Sequence, residues 1–196
     1  MPVSSRVLFD DIVREFPSDW DFSNPKAANA RWLLALCDGF VAMWSAGLTI
    51  PGPGPDPSTS NLYPHTHTIA SAPGLLGPVM SAVPNALFVG ANGASKVYAD
   101  VIALKTAEHL LATCVSDEQS GQDASHVHLW PVAVQPEILQ AAIISELAQT
   151  GLFNIPQSTI PQWLEGYSKG LQTHLTENAT TSIPVVAGVL HTHTLL

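Results

Sequence analysis

Positive charge is the scarcest commodity in this 196-residue chain: seven Lys and Arg stand against sixteen Asp and Glu, for a net charge of -9. A nucleic-acid surface needs clustered cations to neutralise phosphates, so that class of partner is excluded. Charge of either sign is sparse, at 12% of residues, about half the usual ~25%. From Gly39 to Ser95 a single charged residue, Asp56, interrupts 57 positions. Disorder of the charged, apolar-poor kind is excluded as well, because 46% of the chain is hydrophobic. So much uncharged sequence cannot all lie inside a core this small, and part of it is expected to be covered by other protein.

Cysteine is nearly absent. Cys37 and Cys114 lie far apart in apolar helical contexts and read as buried free thiols. Met1–Arg6 lacks an apolar core followed by a small-residue cleavage site, so no secretory signal is expected and the cytoplasm is the default compartment. The longest apolar run, Trp32 to Ile50, carries Asp38 at its centre and has no basic flank after it, the next cation being Lys96. A mid-membrane carboxylate is costly, so the run reads as a buried helix and no membrane span is expected. Asp38 would then need a partner, and Arg31 is the candidate.

Helical patterning accounts for most of the rest. A first helix is predicted from Ser5 to Phe16, capped by Ser4 or Ser5, lined by Val7, Leu8, Ile12, Val13 and Phe16, and stopped by Pro17. Asp10, Asp11 and Glu15 would form its solvated acidic face. A second helix follows Pro25 and ends near Gly47. Further helices are predicted from Ser95 to about Val115, from Pro136 to a stop at Gly151, and from Ile160 to about Thr176. Ile138, Leu139, Ile143, Ile144 and Leu147 should line the fourth. The fold class is therefore mainly α, a bundle-like helical body with a Pro/Gly-rich extended loop and short β-strand arms. The organisation reads as N-terminal helices over 1–50, an extended low-charge arm over 51–94, a helical body over 95–181 and a C-terminal strand or arm over 182–196. Ser116 to Ser125 is polar and reads as an exposed loop, and no long internal repeat is evident.

Phosphate-loop and hydrolase patterns fail. Gly90–Lys96 has the wrong glycine spacing for a Walker loop, and no G-x-S-x-G elbow exposes a serine. Histidine is where the chemistry concentrates. Six of the eight histidines come as His-x-His: His65/His67, His126/His128 and His191/His193. Two pairs share almost one phrase, Pro64-His65-Thr66-His67-Thr68-Ile69 and Leu190-His191-Thr192-His193-Thr194-Leu195. In a strand, residues i and i+2 face the same way, so a pair can offer two nitrogens to one ion. His65, His67, His191 and His193 are the candidate ligands for zinc or iron. Three readings stay open. In the first, Thr and His simply alternate on a polar strand face, with no cofactor. One pair with His109 or His174 would make a catalytic zinc site with an open position. One pair from each of three chains would make a six-nitrogen structural site, an arrangement that resembles the His-x-His iron sites at the tips of phage tail spikes.

The Pro/Gly-rich stretch PGPGPDPSTSNLYPHTHTI and the uncharged end IPVVAGVLHTHTLL, beside a helical body, resemble in layout the small bacteriophage virion proteins of the neck, tail or baseplate. That resemblance implies a non-enzymatic assembly protein. It would be a homo-oligomeric ring or sleeve in a virion put together in the host cytoplasm, with arms docked on neighbouring subunits and on other virion proteins by strand addition. Leu62, Tyr63, Ile69, Val185, Val186, Val189, Leu190, Leu195 and Leu196 would form the interface. The alternative class is a metal-dependent enzyme that uses the His-x-His pairs.

Overall fold

The structure is a computed structural model, and it describes residues 3–51, 66–71, 94–116, 127–131, 133–155, 158–181, 193 and 195–196. Among them are five helices and two short strands: α1 (Ser5–Glu15), α2 (Ala28–Ser45), β1 (Leu48–Pro51), β2 (His67–Ser71), α3 (Ala94–Thr113), α4 (Pro136–Gln149) and α5 (Ile160–Asn178). The chain is mainly α, as its periodicity predicts. β1 and β2 pair antiparallel, with Thr49 opposite Ile69 and Pro51 opposite His67.

Local chemistry explains where the helices start and stop. Pro136 opens α4, where its missing N–H costs nothing, and Gly151 follows its end at φ +67°, a conformation that glycine adopts without a Cβ clash. Ser4 stands at the start of α1, yet its contribution is its carbonyl, which accepts the Leu8 N–H at 2.8 Å; its hydroxyl makes no cap bond. The buried face of α1 is Leu8, Phe9, Asp11 and Ile12, with Val7 turned outward. In α4, Leu139, Ile143 and Leu147 are buried while Ile138 is 55% exposed.

α1 and α5 approach closely because α5 carries glycine at two successive turns. A Cβ on Gly166 would overlap the Phe16 ring, and one on Gly170 would overlap the Ile12 backbone. An aromatic cluster seals this end: Phe16 stacks on Phe22 at 5.1 Å, and Trp163 stacks on Tyr167 at 5.4 Å. One apolar cluster runs from Val3 through every helix to Leu195. The 1–50 helices and the 95–181 body therefore share a core.

Two assignments of charge are reversed. Asp38 is exposed on α2 and needs no partner. The buried carboxylate is Asp11, expected on a solvated face: it takes a hydrogen bond from His174 Nδ1 at 2.8 Å and an ion pair from Arg14 at 3.2 Å. At 100° per residue Leu8 lies 60° and Ile12 100° from Asp11 round the helix, and these two buried neighbours carry it inward. Cys37 and Cys114 are free and buried, and burial raises the pKa of both thiols.

Two consequences can be measured. Gly170→Ala should lower stability by about 1–3 kcal/mol through overpacking, despite alanine's better helix propensity, as read by urea unfolding. The second concerns pH. Burial lowers the pKa of His174 against the opposing pull of Asp11, and burial lowers that of His109. His109 Nε2 also accepts the Gln135 N–H at 2.9 Å, a bond that protonation destroys. The unfolded imidazoles bind protons first, so stability is complete above about pH 6.5 and falls as pH drops through the lower folded values. Replacing both residues by Gln should flatten the decline between about pH 6.5 and 5.

Candidate metal centre

Three helices end in the same way. α2 runs into Gly47-Leu48-Thr49, α3 into Cys114-Val115-Ser116, and α5 into Ala179-Thr180-Thr181. Each triplet is a small residue, a spacer and a hydroxyl, and all three hydroxyl residues are buried. Each hydroxyl residue then clasps the backbone of one histidine. The Thr49 N–H donates to the His193 carbonyl at 2.9 Å, and Thr49 Oγ1 accepts the His193 N–H at 3.0 Å. The Ser116 N–H donates to the His67 carbonyl at 2.9 Å, and Ser116 Oγ accepts the His67 N–H at 2.7 Å. The Thr181 N–H donates to the His128 carbonyl at 3.0 Å, and Thr181 Oγ1 accepts the His128 N–H at 2.8 Å. This is an antiparallel bridge in which a side-chain oxygen stands where a carbonyl would.

The hydroxyls also reach the next imidazole round the ring. Thr49 Oγ1 lies 3.2 Å from His67 Nδ1, and Ser116 Oγ lies 3.2 Å from His128 Nδ1. The connections close in a circle: His193, Thr49, His67, Ser116, His128, Thr181 and back to the segment of His193 through the Thr181–Leu195 bridge. Two positions beyond each histidine stands a buried apolar side chain, Ile69, Trp130 or Leu195. The pattern of small residue, spacer, hydroxyl, then His-x-His, spacer, apolar residue occurs three times, with the hydroxyls 67 and 65 residues apart. The chain therefore contains an internal repeat with approximate three-fold symmetry, which reading along the sequence missed.

At the centre of the ring His67, His128 and His193 face one another, each 0% exposed. Their rings stand 4.6, 4.6 and 5.2 Å apart between centroids and are steeply inclined, at 61°, 87° and 84°. One nitrogen from each lies within 4.8 Å of the other two. Nitrogens that share a zinc at ~2.0–2.1 Å stand about 3.3 Å apart, so small ring rotations bring all three onto one ion. Among the described residues this is the one cluster of histidine, cysteine and carboxylate groups with metal-site geometry. Three neutral imidazoles suit zinc, iron, copper or nickel.

Of the expected ligands, His67 and His193 belong to the centre, whereas His65 and His191 lie outside the described residues. His128, one of the His126/His128 pair, stands outside the candidate ligand set, because Val127 and Leu129 replace the threonines of the other two phrases. His109 and His174, considered as third ligands, are engaged elsewhere, with the Gln135 N–H and with Asp11. Ser116, expected in an exposed loop, is 4% exposed and part of the ring. Of the residues expected between chains, Ile69 and Leu195 are buried in this chain's own core. Leu196 is held at home, its N–H and carbonyl exchanging bonds with Thr180 and its carbonyl also accepting the Trp44 Nε1–H at 3.3 Å. These residues are therefore not given to neighbours alone: Ile69 and Leu195 line a cleft of this chain with Met43 and Trp44 of α2 and Ala107 and Leu110 of α3. Leu62, Tyr63, Val185, Val186, Val189 and Leu190 lie outside the described residues. No helix among the described residues is long and apolar enough to cross a membrane. Comparison with protein-family models, with curated proteins and with solved structures finds no match.

Proposed function

We propose that this chain is a non-enzymatic structural protein whose fold is closed by one transition-metal ion, zinc or iron, held by His67, His128 and His193. It serves as a homo-oligomeric component of a larger assembly, of the kind found in phage necks, tails or baseplates. The observation that carries the reading is the complete burial of all three imidazoles, with the backbone of each locked by a hydroxyl clasp. A catalytic ion needs an open coordination position that a substrate can reach, and a structural ion needs closure. Three histidines leave a fourth coordination position, and the complete burial of all three keeps that position from a substrate, which fits the second need.

The assembly half of the proposal is supported by the surface. Charged residues are only 12% of the chain, so long stretches of it carry no charge that contact with another protein would have to desolvate. Val115, Val127 and Leu129 are exposed at 37%, 44% and 52% on segments whose neighbouring residues build the ring. Their outward-facing apolar side chains offer contact area to adjacent subunits or to other proteins of the assembly.

Metal analysis and native mass spectrometry on the purified chain test both halves. The expected result is one zinc or iron per chain, a closed ring of subunits, and a large fall in melting temperature on chelation. Folding energy from a structural metal is lost with the ion, so a shift of ten degrees or more is expected. A chain that takes up neither metal and melts identically with chelator refutes the metal half. A monomer at high concentration refutes the assembly half.

A further inference from the structure

We infer that the ring hydroxyls of Thr49 and Ser116 are positioning residues for the metal centre, fixing which nitrogen of His67 and His128 faces the ion. This deepens the metal reading above and rests on it. The two hydroxyl oxygens sit 3.2 Å from His67 Nδ1 and His128 Nδ1. Each oxygen accepts a backbone N–H, from His193 and His67 respectively, and a hydroxyl oxygen carries two lone pairs, the second of which can accept from an imidazole N–H. A neutral imidazole that donates its Nδ1 proton to that lone pair is locked in one tautomer and one ring orientation. Its Nε2 is then the basic nitrogen, turned to the other side of the ring.

The repeat makes this more than a pair of chance contacts. Hydroxyl and histidine recur together in each third of the chain, and Thr181 clasps His128 by the same two backbone bonds. A buried threonine or serine could satisfy one backbone N–H and stop there. Here the oxygens of Thr49 and Ser116 each bridge the backbone of one histidine and the ring of the next, so the imidazoles of His67 and His128 are oriented by a neighbour's clasp. Ligating histidines are commonly held by such a partner on the second nitrogen, and its loss typically costs 10–100-fold in metal affinity.

The probe is Co(II) added to metal-free protein, followed by its visible absorption, together with nitrogen NMR of the zinc-loaded wild type. Thr49→Val keeps the shape and strand preference of threonine and removes only the hydroxyl, and Ser116→Ala does the same at the second site. Both should bind Co(II) 10–100-fold more weakly with an altered spectrum, while Thr49→Ser and Ser116→Thr bind as the wild type does. NMR should show His67 and His128 protonated at Nδ1 and metal-bound through Nε2, a readout that needs no variant to fold. Ligation through Nδ1, or unchanged affinity and spectrum in folded Thr49→Val, overturns the positioning role. A wild type that takes up neither Co(II) nor zinc instead overturns the metal reading beneath it.

Discussion

The structure depends on an exchange between a hydroxyl and a histidine backbone, made three times. Each clasp joins segments far apart in sequence: 144 residues separate Thr49 from His193, 49 separate His67 from Ser116, and 53 separate His128 from Thr181. Closing such loops has an entropic cost that rises slowly with length, by about 0.6 kcal/mol for each doubling. Two hydrogen bonds per clasp return ~1 kcal/mol each after exchange with water, which does not hold the ends together unaided. Left unmade inside the core, however, the same N–H and C=O groups would cost more than that. The clasps therefore specify how the segments meet, and apolar packing supplies the force that brings them there.

That packing is arranged around the same ring. α2, α3 and α5 each deliver a hydroxyl within a few residues of their ends, so helix packing sets the spacing of the ring. Gly47, Cys114 and Ala179, two residues before each hydroxyl, are small enough for a neighbouring strand to pass; a Cβ on Gly47 would strike the Leu195 side chain at 2.5 Å. Ile69, Trp130 and Leu195 anchor the histidine segments from below, and Trp130 meets Trp44 edge to face at 5.7 Å. At the opposite pole, α1 is fastened to α5 by the glycine contacts and by Asp11 with His174. The helices alone make a bundle, and the clasps turn its ends into a ring.

The helices were legible because their stops are local chemistry. Pro136 and Gly151 act on the residues beside them, and the three- and four-residue spacing of Trp163, Leu164, Tyr167, Leu171 and Leu175 shows directly which side is inside. The candidate site was half legible, since the His-x-His pairs stand out by composition. What failed needed a third dimension. Asp38 and Asp11 exchanged roles because hydropathy around a carboxylate does not say which way it points. The repeat escaped because it is carried by a few residues in each ~65, a longer period than most repeat architectures have. Thr and Ser are interchangeable in it, as are Gly, Cys and Ala, and the helices between share no pattern. His128 is hidden for the same reason: the Thr-His phrase does not extend to it, whereas the clasp does.

The bonding of residues 193, 195 and 196 narrows how an assembly of these chains would be built. A free arm can add a strand to a neighbour because its backbone N–H and C=O groups are unpaired. Here Leu196 and Thr180 already exchange both bonds, at 3.0 and 2.8 Å, Leu195 is 1% exposed, and the His193 backbone is committed to Thr49. Lending this end to another subunit would open the ring, strand a buried imidazole and uncover the cleft lined by Met43, Trp44, Ile69 and Leu110. On the proposed reading, then, the last residues lock the subunit, and a metal ion at the centre would tighten that lock. Contacts between subunits fall to side chains the lock leaves outside. Val127 and Leu129 flank the buried His128 and point the opposite way, so one short segment closes the centre with its middle residue and offers its neighbours to a partner.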